Sequence, residues 1–346
     1  MTVKPDFSIF NTLTQLPGIS GREQAVRDYL KELLTPVADW VRTDALGNLI
    51  CFKKGTSDKN LLLCAHMDEV GLLVHFIDES GFLRFITVGG IDPRTLLAQR
   101  VRVQTQNGPL LGIIGTKPAH ITTEAERGKA VALQDLFIDV GLSAQEVKKQ
   151  VHVGDFAVLD RPYEEFGNGL ICAKAIDNRA GVFIQTEVFK QLQNPFYNVY
   201  AVFTVQEEVG VRGATTAAFG IDSDVCLCLD TTGAADIPGI APQDQIVRLC
   251  GGVGISILDA RTITPRPLFD ALTQMCDKQH IAWQVRIAQR GGNDAAAVHL
   301  SKTGVPSCAL SLPTRNIHSN VEVCAKQDVQ AMIDLTYNCA MQGIVF

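Results

Sequence analysis

Apolar positions along the chain recur with two different periods. From Gln24 to Leu34, Val26, Tyr29, Leu30 and Leu33 fall at helical spacing after the turn Gly18-Ile19-Ser20-Gly21, which predicts an amphipathic helix opening the chain. The text then changes to the short apolar runs LGNLICF and NLLLCAH. The second follows Asp58-Lys59-Asn60 and is apolar on both faces, so NLLLC reads as a central strand buried on both sides. Between about Leu72 and Phe166 the runs LLVHFI, FLRFIT, RVRVQT and LLGIIG are separated by Ser80-Gly81, Gly89-Gly90 and Asn107-Gly108, the pattern of a small all-β unit. Beyond it come a helix from Asn178 to about Gln193, the strand VYAVFTV, a helical patch near Gly213 to Phe219 and the strand VCLCL.

This alternation predicts an α/β fold: a mostly parallel sheet flanked by helices, into which a small β-barrel-like unit is inserted. The expected division is residues 1–71 with 166–346 for the α/β domain and 72–165 for the insert. No internal repeat or low-complexity tract interrupts it.

Composition narrows the function. With 346 residues, 46% of them hydrophobic, the chain can bury a large core. Its 37 acidic and 31 basic side chains give a formal charge of −6, so nothing at whole-chain level attracts a phosphate backbone, and nucleic acid is not an expected partner. The start MTVKPDFSIF lacks a basic stretch followed by an apolar run, and no run of about eighteen apolar residues occurs, so a cytoplasmic, membrane-free protein is expected. Ten cysteines, mostly isolated within apolar strands such as those of Cys64, Cys250 and Cys308, fit reduced buried thiols, and the Cys226/Cys228 pair has the wrong spacing for a zinc ribbon.

The candidate chemistry lies where the buried runs end. His66 and Asp68 follow NLLLC, Glu207 and Glu208 follow VYAVFTV, and Asp230 follows VCLCL. In open parallel sheets ligands bind outside the carboxyl ends of the strands, so separate strands can converge side chains on one site. Asp177, just before a helix, and His318, just past VPSCALSL, can reach the same rim. Any one such Asp or His is more often a helix cap or a satisfied polar group; several at segment ends together point to a site. Two histidines with carboxylates suit a borderline divalent ion such as Zn²⁺, and the absence of cysteine from the set argues against a structural zinc.

His66 and Asp68, two apart in extended chain, point to one side, so the carboxylate can accept from the ring N–H that a metal leaves unused. Adjacent Glu207 and Glu208 face opposite ways, which favours one as ligand and the other as proton carrier. Asp177, Glu208 and Asp230 set three negative charges against the four positives of two divalent ions, a balance nearly completed by a bridging hydroxide, and leave Glu207 free as general base. His75, His152 and His299 sit in apolar patterns and read as structural. Gly251-Gly252-Val253-Gly254 lacks a following Lys-Ser/Thr pair and reads as a turn, and neither GxSxG nor HExxH occurs.

The strings AHMDEVG (65–71), AIDNRAG (175–181), EEVGVRG (207–213), LDTTGAADIPG (229–239), GGNDAAAVHL (291–300) and PTRNIHSNVEV (313–323) together resemble the M42 family of metallo-aminopeptidases, as does KPAHITTEAERGKAVALQDLFIDVG (117–141) in the insert. The separation of 109 positions from Asp68 to Asp177 matches the insert of that pattern. The resemblance implies a zinc-peptidase type catalytic domain and two divalent ions per subunit, Zn²⁺ ahead of Co²⁺. His66, Asp177 and Asp230 would hold one ion and Asp177, Glu208 and His318 the other. Glu207 would be the base toward a metal-bridging water, and Asp68 would orient His66. It further implies release of the amino-terminal residue from short unblocked peptides, and a homo-oligomer in which dimers, joined through the insert, assemble to a dodecamer. His120 could reach a neighbouring subunit's site or be purely structural. Asn293, Asn316, Asn320 and Ala235 depart from residues usual in the family and bear on the shape of the substrate pocket.

Three other readings compete: a metal-dependent hydrolase of another class, such as a deacylase; a glycoside hydrolase using paired carboxylates; and a non-catalytic oligomeric partner. The second needs an acid and its partner facing each other across ~5–10 Å, which adjacent Glu207 and Glu208 do not obviously provide, and it leaves the histidines unexplained.

Overall fold

The computed structural model describes residues 3–123 and 130–346. The chain begins with α1 (Phe7–Gln15) and α2 (Gln24–Leu34). The strands β1 (Trp40–Thr43), β2 (Leu49–Lys53) and β3 (Asn60–His66) follow. The first helix is one more than expected. Its text FSIFNTLTQ lacks strong helix formers, but Asp6 accepts the Ser8 N–H as an N-cap at 3.0 Å, and Ile9, Phe10 and Leu13 face the core.

Next come β4 (Gly71–Ile77), β5 (Leu83–Val88), β6 (Arg100–Thr105), β7 (Gly108–Gly115), β8 (Phe137–Asp139), the short helix α3 (Ala144–Gln150) and β9 (Phe156–Leu159). These strands close into a barrel in the order β4-β5-β8-β7-β6-β9, filled by Leu72, Val74, Leu83, Val101, Val103 and Ile138 among others. Closure leaves the short strands of this unit no free edge.

The chain then returns through β10 (Glu164–Phe166), β11 (Leu170–Ala173), α4 (Ile176–Gln191), β12 (Asn198–Thr204), α5 (Arg212–Phe219) and β13 (Val225–Gly233). It ends with β14 (Val253–Leu258), α6 (Arg266–Gln279), β15 (Trp283–Ile287), α7 (Ala295–Val298), β16 (Ser307–Thr314), β17 (Glu322–Ala325) and α8 (Lys326–Gln342). The main sheet has the order β1-β2-β12-β3-β13-β16-β14-β15, with β10-β11-β17 as a separate small sheet.

The mostly parallel pairing expected of the sheet is concentrated at its centre. The strands β12, β3, β13 and β16 pair in parallel, as do β14 and β15, whereas β1 with β2, β2 with β12 and β14 with β16 are antiparallel, so the sheet is mixed. The alternation of side chains along β3 and β13 explains why both faces are apolar. Leu61, Leu63, Leu227 and Leu229 pack under α1, α2, α4, α6 and α8, while Leu62, Cys64, Cys226 and Cys228 pack under α5 and α7. Each buried Leu contributes about 1.5–3 kcal/mol relative to exposure.

All ten cysteines are free, and nine are buried. Cys250 departs from the expectation. It is exposed in a turn before β14, at φ +62°, because the strand starts only at Val253. Among the described residues, no helix is long and apolar enough to cross a membrane.

Candidate metal centre and active site

The register of the central sheet brings the first ligands together. Cys64 lies opposite Cys228 in parallel β3 and β13, so two residues further along His66 and Asp230 are level and on the same face. His66 ends β3, while Asp230 lies inside β13, which runs on to Gly233. Asp177 sits inside the first turn of α4, where it and Asn178 leave helical geometry, instead of preceding the helix. Glu207 and Glu208 follow β12 and His318 follows β16, so every candidate is at the carboxyl-end rim of the sheet or just beyond it.

Asp177 stands between the two histidines. Its Oδ1 is 3.3 Å from Nε2 of His66, and its Oδ2 is 3.3 Å from Nε2 of His318. Asp230 Oδ1 lies 3.7 Å from the His66 nitrogen, and Glu208 Oε1 lies 3.2 Å from that of His318. Two overlapping groups result, His66-Asp177-Asp230 and Asp177-Glu208-His318, each with its ligand atoms within 4.8 Å of one another. Glu207 belongs to neither group and lies 4.0 Å from His66 Nε2.

Asp68 does more, and something other, than expected. The ring Nδ1–H of His66 meets the backbone carbonyl of Asp68 at 3.0 Å, with the carboxylate farther away at 3.5 Å. The carboxylate accepts instead from Ser20 Oγ at 2.6 Å and from the backbone N–H groups of Glu207 and Glu208 at 3.0 and 3.1 Å. One residue thus fixes the tautomer of a histidine and the position of the Glu207-Glu208 turn.

Glu322 escaped the sequence reading. Fully buried in β17, it accepts the N–H of Asp177 at 2.9 Å and that of His318 at 2.7 Å. Its signal was an acidic residue in a buried strand, four positions after His318. Beneath the rim, Glu69 receives two bonds from Lys174 Nζ, at 2.7 and 2.9 Å, and one from Arg179 at 3.3 Å, all three side chains being buried. Arg179 also donates to the carbonyls of Leu13, Leu16, Gly18 and Met67, pinning the α1–α2 connection against the end of β3. Left-handed backbone clusters here at Ala175 (+57°), Gln206 (+57°), Val211 (+50°) and His318 (+62°), a conformation that non-glycine residues adopt at a cost of about 1–3 kcal/mol.

The electrostatics fit bound cations. Burial raises the carboxyls of Glu207, Glu208 and Asp230, with His66 or His318 opposing and neighbouring carboxylates adding to the rise. Burial lowers His318, but Asp177 and Glu208 outweigh it and push it up to about 11. Asp294, buried nearby and bonded by the Thr204 hydroxyl, is pushed by burial up to about 6. Oδ1 of Asp177 and Oε1 of Glu208 are buried and accept no hydrogen bond. Orphaned anionic oxygens facing two imidazole nitrogens are a donor set for divalent ions with nitrogen and oxygen preference.

His66, Asp177, Glu207, Glu208, Asp230 and His318 line one cavity of about 390 Å³, together with Arg261, Arg286 and Arg290. His75, His120, His152 and His299 lie outside it. His120 is exposed on the insert, and residues 124–129 of the signature 117–141 lie outside the described residues. Asn293, Asn316, Asn320 and Ala235 do not line the cavity either. Asn293 is buried and donates to Asp259 at 3.0 Å, Asn316 donates to the Val321 carbonyl, and Asn320 donates to Gln99 of the insert at 2.6 Å. The insert also forms a wall: a Cβ at Gly89 would lie 3.3 Å from Cβ of Glu208, and one at Gly90 would lie 3.7 Å from Nδ1 of His318.

An α/β sheet carrying two overlapping nitrogen–oxygen groups at its strand ends could hold divalent ions there. The chain belongs to the M42 glutamyl aminopeptidase family, whose profile matches residues 47–335, and it is a peptide hydrolase. A lysyl aminopeptidase of Pyrococcus furiosus is 32% identical over 338 residues, 95% of each chain. An aminopeptidase structure from Desulfurococcus kamchatkensis is 38% identical with a TM-score of 0.94, over 98% of this chain and 95% of that one. The TET1 peptidase of Pyrococcus horikoshii, which assembles into a tetrahedron or a large octahedral shell, is 33% identical with a TM-score of 0.87, over 97% and 99% of the two chains.

Proposed function

We propose that this protein is a two-metal aminopeptidase that releases the first residue of short peptides with a free amino end. The observation that carries the reading is Asp177, whose two carboxylate oxygens each stand 3.3 Å from a different histidine. His66, Asp177 and Asp230 would hold one ion and Asp177, Glu208 and His318 the other, with Zn²⁺ ahead of Co²⁺ for a nitrogen–oxygen set. Bound there, the ions supply the Lewis acidity that polarises a peptide carbonyl and eases deprotonation of water. Glu207, outside both ligand groups, takes the proton from the attacking water and returns it to the leaving amine. Asp68 holds the backbone of Glu207 and Glu208 so that base and ligand keep their separation. A substrate α-amine seated at the metal end limits cleavage to the first residue.

The α/β portion, residues 1–71 and 166–346, is the catalytic domain, and the insert 72–165 is the dimer contact from which a dodecamer is built, in the cytoplasm. The shells formed by the TET1 relative support a homo-oligomer.

The test is release of free amino acids from a peptide library, with and without N-acetylation, by protein stripped with chelator and reloaded with Zn²⁺ or Co²⁺. Cleavage of unblocked peptides only, and only after reloading, supports the proposal. Cleavage of blocked substrates points to a deacylase or another metal hydrolase. Chelator-resistant cleavage of a glycoside points to a two-carboxylate glycosidase, and no cleavage with two ions bound points to an assembly partner.

A further inference from the structure

Strand β13 outruns one of its neighbours. It pairs with β3 only from Val225 to Cys228, whereas β16 accompanies it to Gly233. The N–H of Cys226 donates to the Pro306 carbonyl at 2.9 Å and that of Ala234 to the Thr314 carbonyl at 2.8 Å, so the even-numbered residues turn their main-chain groups to β16. In a parallel ladder the residues between them turn theirs to the opposite edge. On that edge the carbonyl of Leu229 accepts from Nδ2 of Asn178 at 2.9 Å, and the N–H of Thr231 donates to Oδ1 of Asp230 at 2.7 Å. Among the described residues, the carbonyl of Thr231 and the N–H of Gly233 have no hydrogen-bond partner.

Both residues line the cavity that holds the candidate ligands, and Gly233 can do so only through its backbone. Neither conformation nor crowding calls for glycine at this position. Its φ lies outside the left-handed region, and a Cβ there would meet nothing within 4 Å. A glycine of this kind in a strand leaves room for another backbone to come close. The bare edge begins beside the candidate ligand Asp230 and runs outward to the exposed Gly233.

We infer that this edge takes the substrate as an added strand: the N–H of the second substrate residue donates to the Thr231 carbonyl, and the carbonyl of that same residue accepts from the Gly233 N–H. The inference rests on the aminopeptidase reading, which places the amino end of the peptide at the metal centre and so makes the chain run outward, parallel to β13. Strands advance about 3.3 Å per residue, so a first residue whose carbonyl lies beside Asp230 puts the second level with Thr232. A residue at that level of a parallel ladder makes both bonds at once. Antiparallel pairing at Thr231 would lack a donor, because its N–H is engaged by Asp230. Main-chain bonds are blind to side chains, so the edge holds peptides of unrelated sequence in one register against the site.

The experiment uses Zn²⁺-reloaded protein and Leu-Gly-Gly amide, with sulfur in place of oxygen in the carbonyl of either the second or the third residue. Sulfur is a weak acceptor. The value of kcat/KM should therefore fall about 2- to 10-fold for the second-residue analogue relative to the third-residue one, the net worth of one hydrogen bond. Gly233→Pro removes the donor at an edge position where proline is tolerated, and should bring the two analogues level. Gly233→Ala keeps the N–H and should retain the difference. The comparison of analogues on the unaltered chain needs no variant, so it decides the matter even where proline disturbs the fold. Hydrogen–deuterium exchange reads the same contact without turnover: Leu-Gly-Gly amide with its first peptide bond reduced to a methylene-amine should slow exchange in the segment 229–236.

Equal effects of the two sulfur substitutions, or a difference that survives Gly233→Pro, overturn the inference. So does exchange in 229–236 that the reduced peptide leaves unchanged. Protection of that segment that grows with protein concentration in the absence of peptide would assign the edge to a second copy of the chain, and overturns it as well. If no peptide is cut, the aminopeptidase reading fails on its own, and the exchange measurement decides the inference.

Discussion

The backbone N–H of Asp177 donates to the buried carboxylate of Glu322 at 2.9 Å, and the other oxygen of that carboxylate takes the N–H of His318 at 2.7 Å. The bridging candidate and a candidate ligand from a distant segment are therefore held by one buried side chain that does not line the cavity. Glu322→Gln keeps the volume but offers only one accepting oxygen. Metal affinity should fall about 10- to 100-fold, as for other partners that orient ligands. Competition with a chromophoric chelator measures it, and unchanged affinity would show that the ligands are fixed by other means.

Glu207→Gln should lower kcat by about 10²- to 10⁴-fold while the protein still carries two ions, because it removes the proton acceptor and leaves both ligand groups intact. Metal analysis alongside steady-state kinetics checks both halves. Near-normal kcat would remove Glu207 from the role of base.

Stripping the ions should lower the melting temperature. A ligand that binds only the folded state adds about 2.7 kcal/mol when its free concentration is 100 times its dissociation constant. The crowded carboxylates of Asp177, Glu208 and Asp230 make the folded apo-protein the less favourable partner in that comparison. Calorimetry before and after chelation, then after reloading, gives the size; equal melting temperatures would mean that no ion occupies the site under those conditions.

Glu69→Gln should cost about 3–5 kcal/mol, the usual result of stranding buried charge. The Lys174 ammonium and the Arg179 guanidinium are 4% and 0% exposed, with Glu69 as their shared counter-ion. Urea unfolding of the variant, with and without Lys174→Met in the same chain, tests this: the second change should recover part of the loss.

Stability should depend on pH through Asp328. Burial raises its carboxyl to about 6, while the N–H groups of Gly252 and Cys250, which donate to it at 2.8 and 2.7 Å, pull it down. The folded state binds this proton more tightly than the unfolded one, so the contribution is fully present below the ordinary aspartate value near 3.9 and is lost as pH rises through about 6. The difference in unfolding free energy between the metal-free protein and its Asp328→Asn variant should shift against the native residue across that window. A flat difference would contradict the assignment.

The centre of the fold was legible because β3 and β13 alternate with apolar residues on both faces, a pattern that an exposed strand does not carry. The rim residues were legible for the same reason: His66, Asp230 and the Glu207-Glu208 pair break apolar runs where those runs end. The antiparallel edges of the sheet were not, since pairing direction is set by the connections and not by the pattern within a strand. Glu322 was missed because its work is done through backbone N–H groups that any residue possesses. Arg261, Arg286 and Arg290 come from two different segments whose convergence depends on the β14–β15 pairing, and no spacing within either segment announces it. Helix α1 was hidden by its Ser and Thr content, which tertiary packing of Ile9, Phe10 and Leu13 overrides.

The approach of Gly89 and Gly90 to Glu208 and His318, reinforced by the bond from Asn320 to Gln99, makes the barrel a splint for the candidate rim. A splint transmits load. A subunit that gripped the outer surface of the barrel would also bear on the wall that faces His318, so assembly and the geometry of the candidate ligands would share one mechanical path.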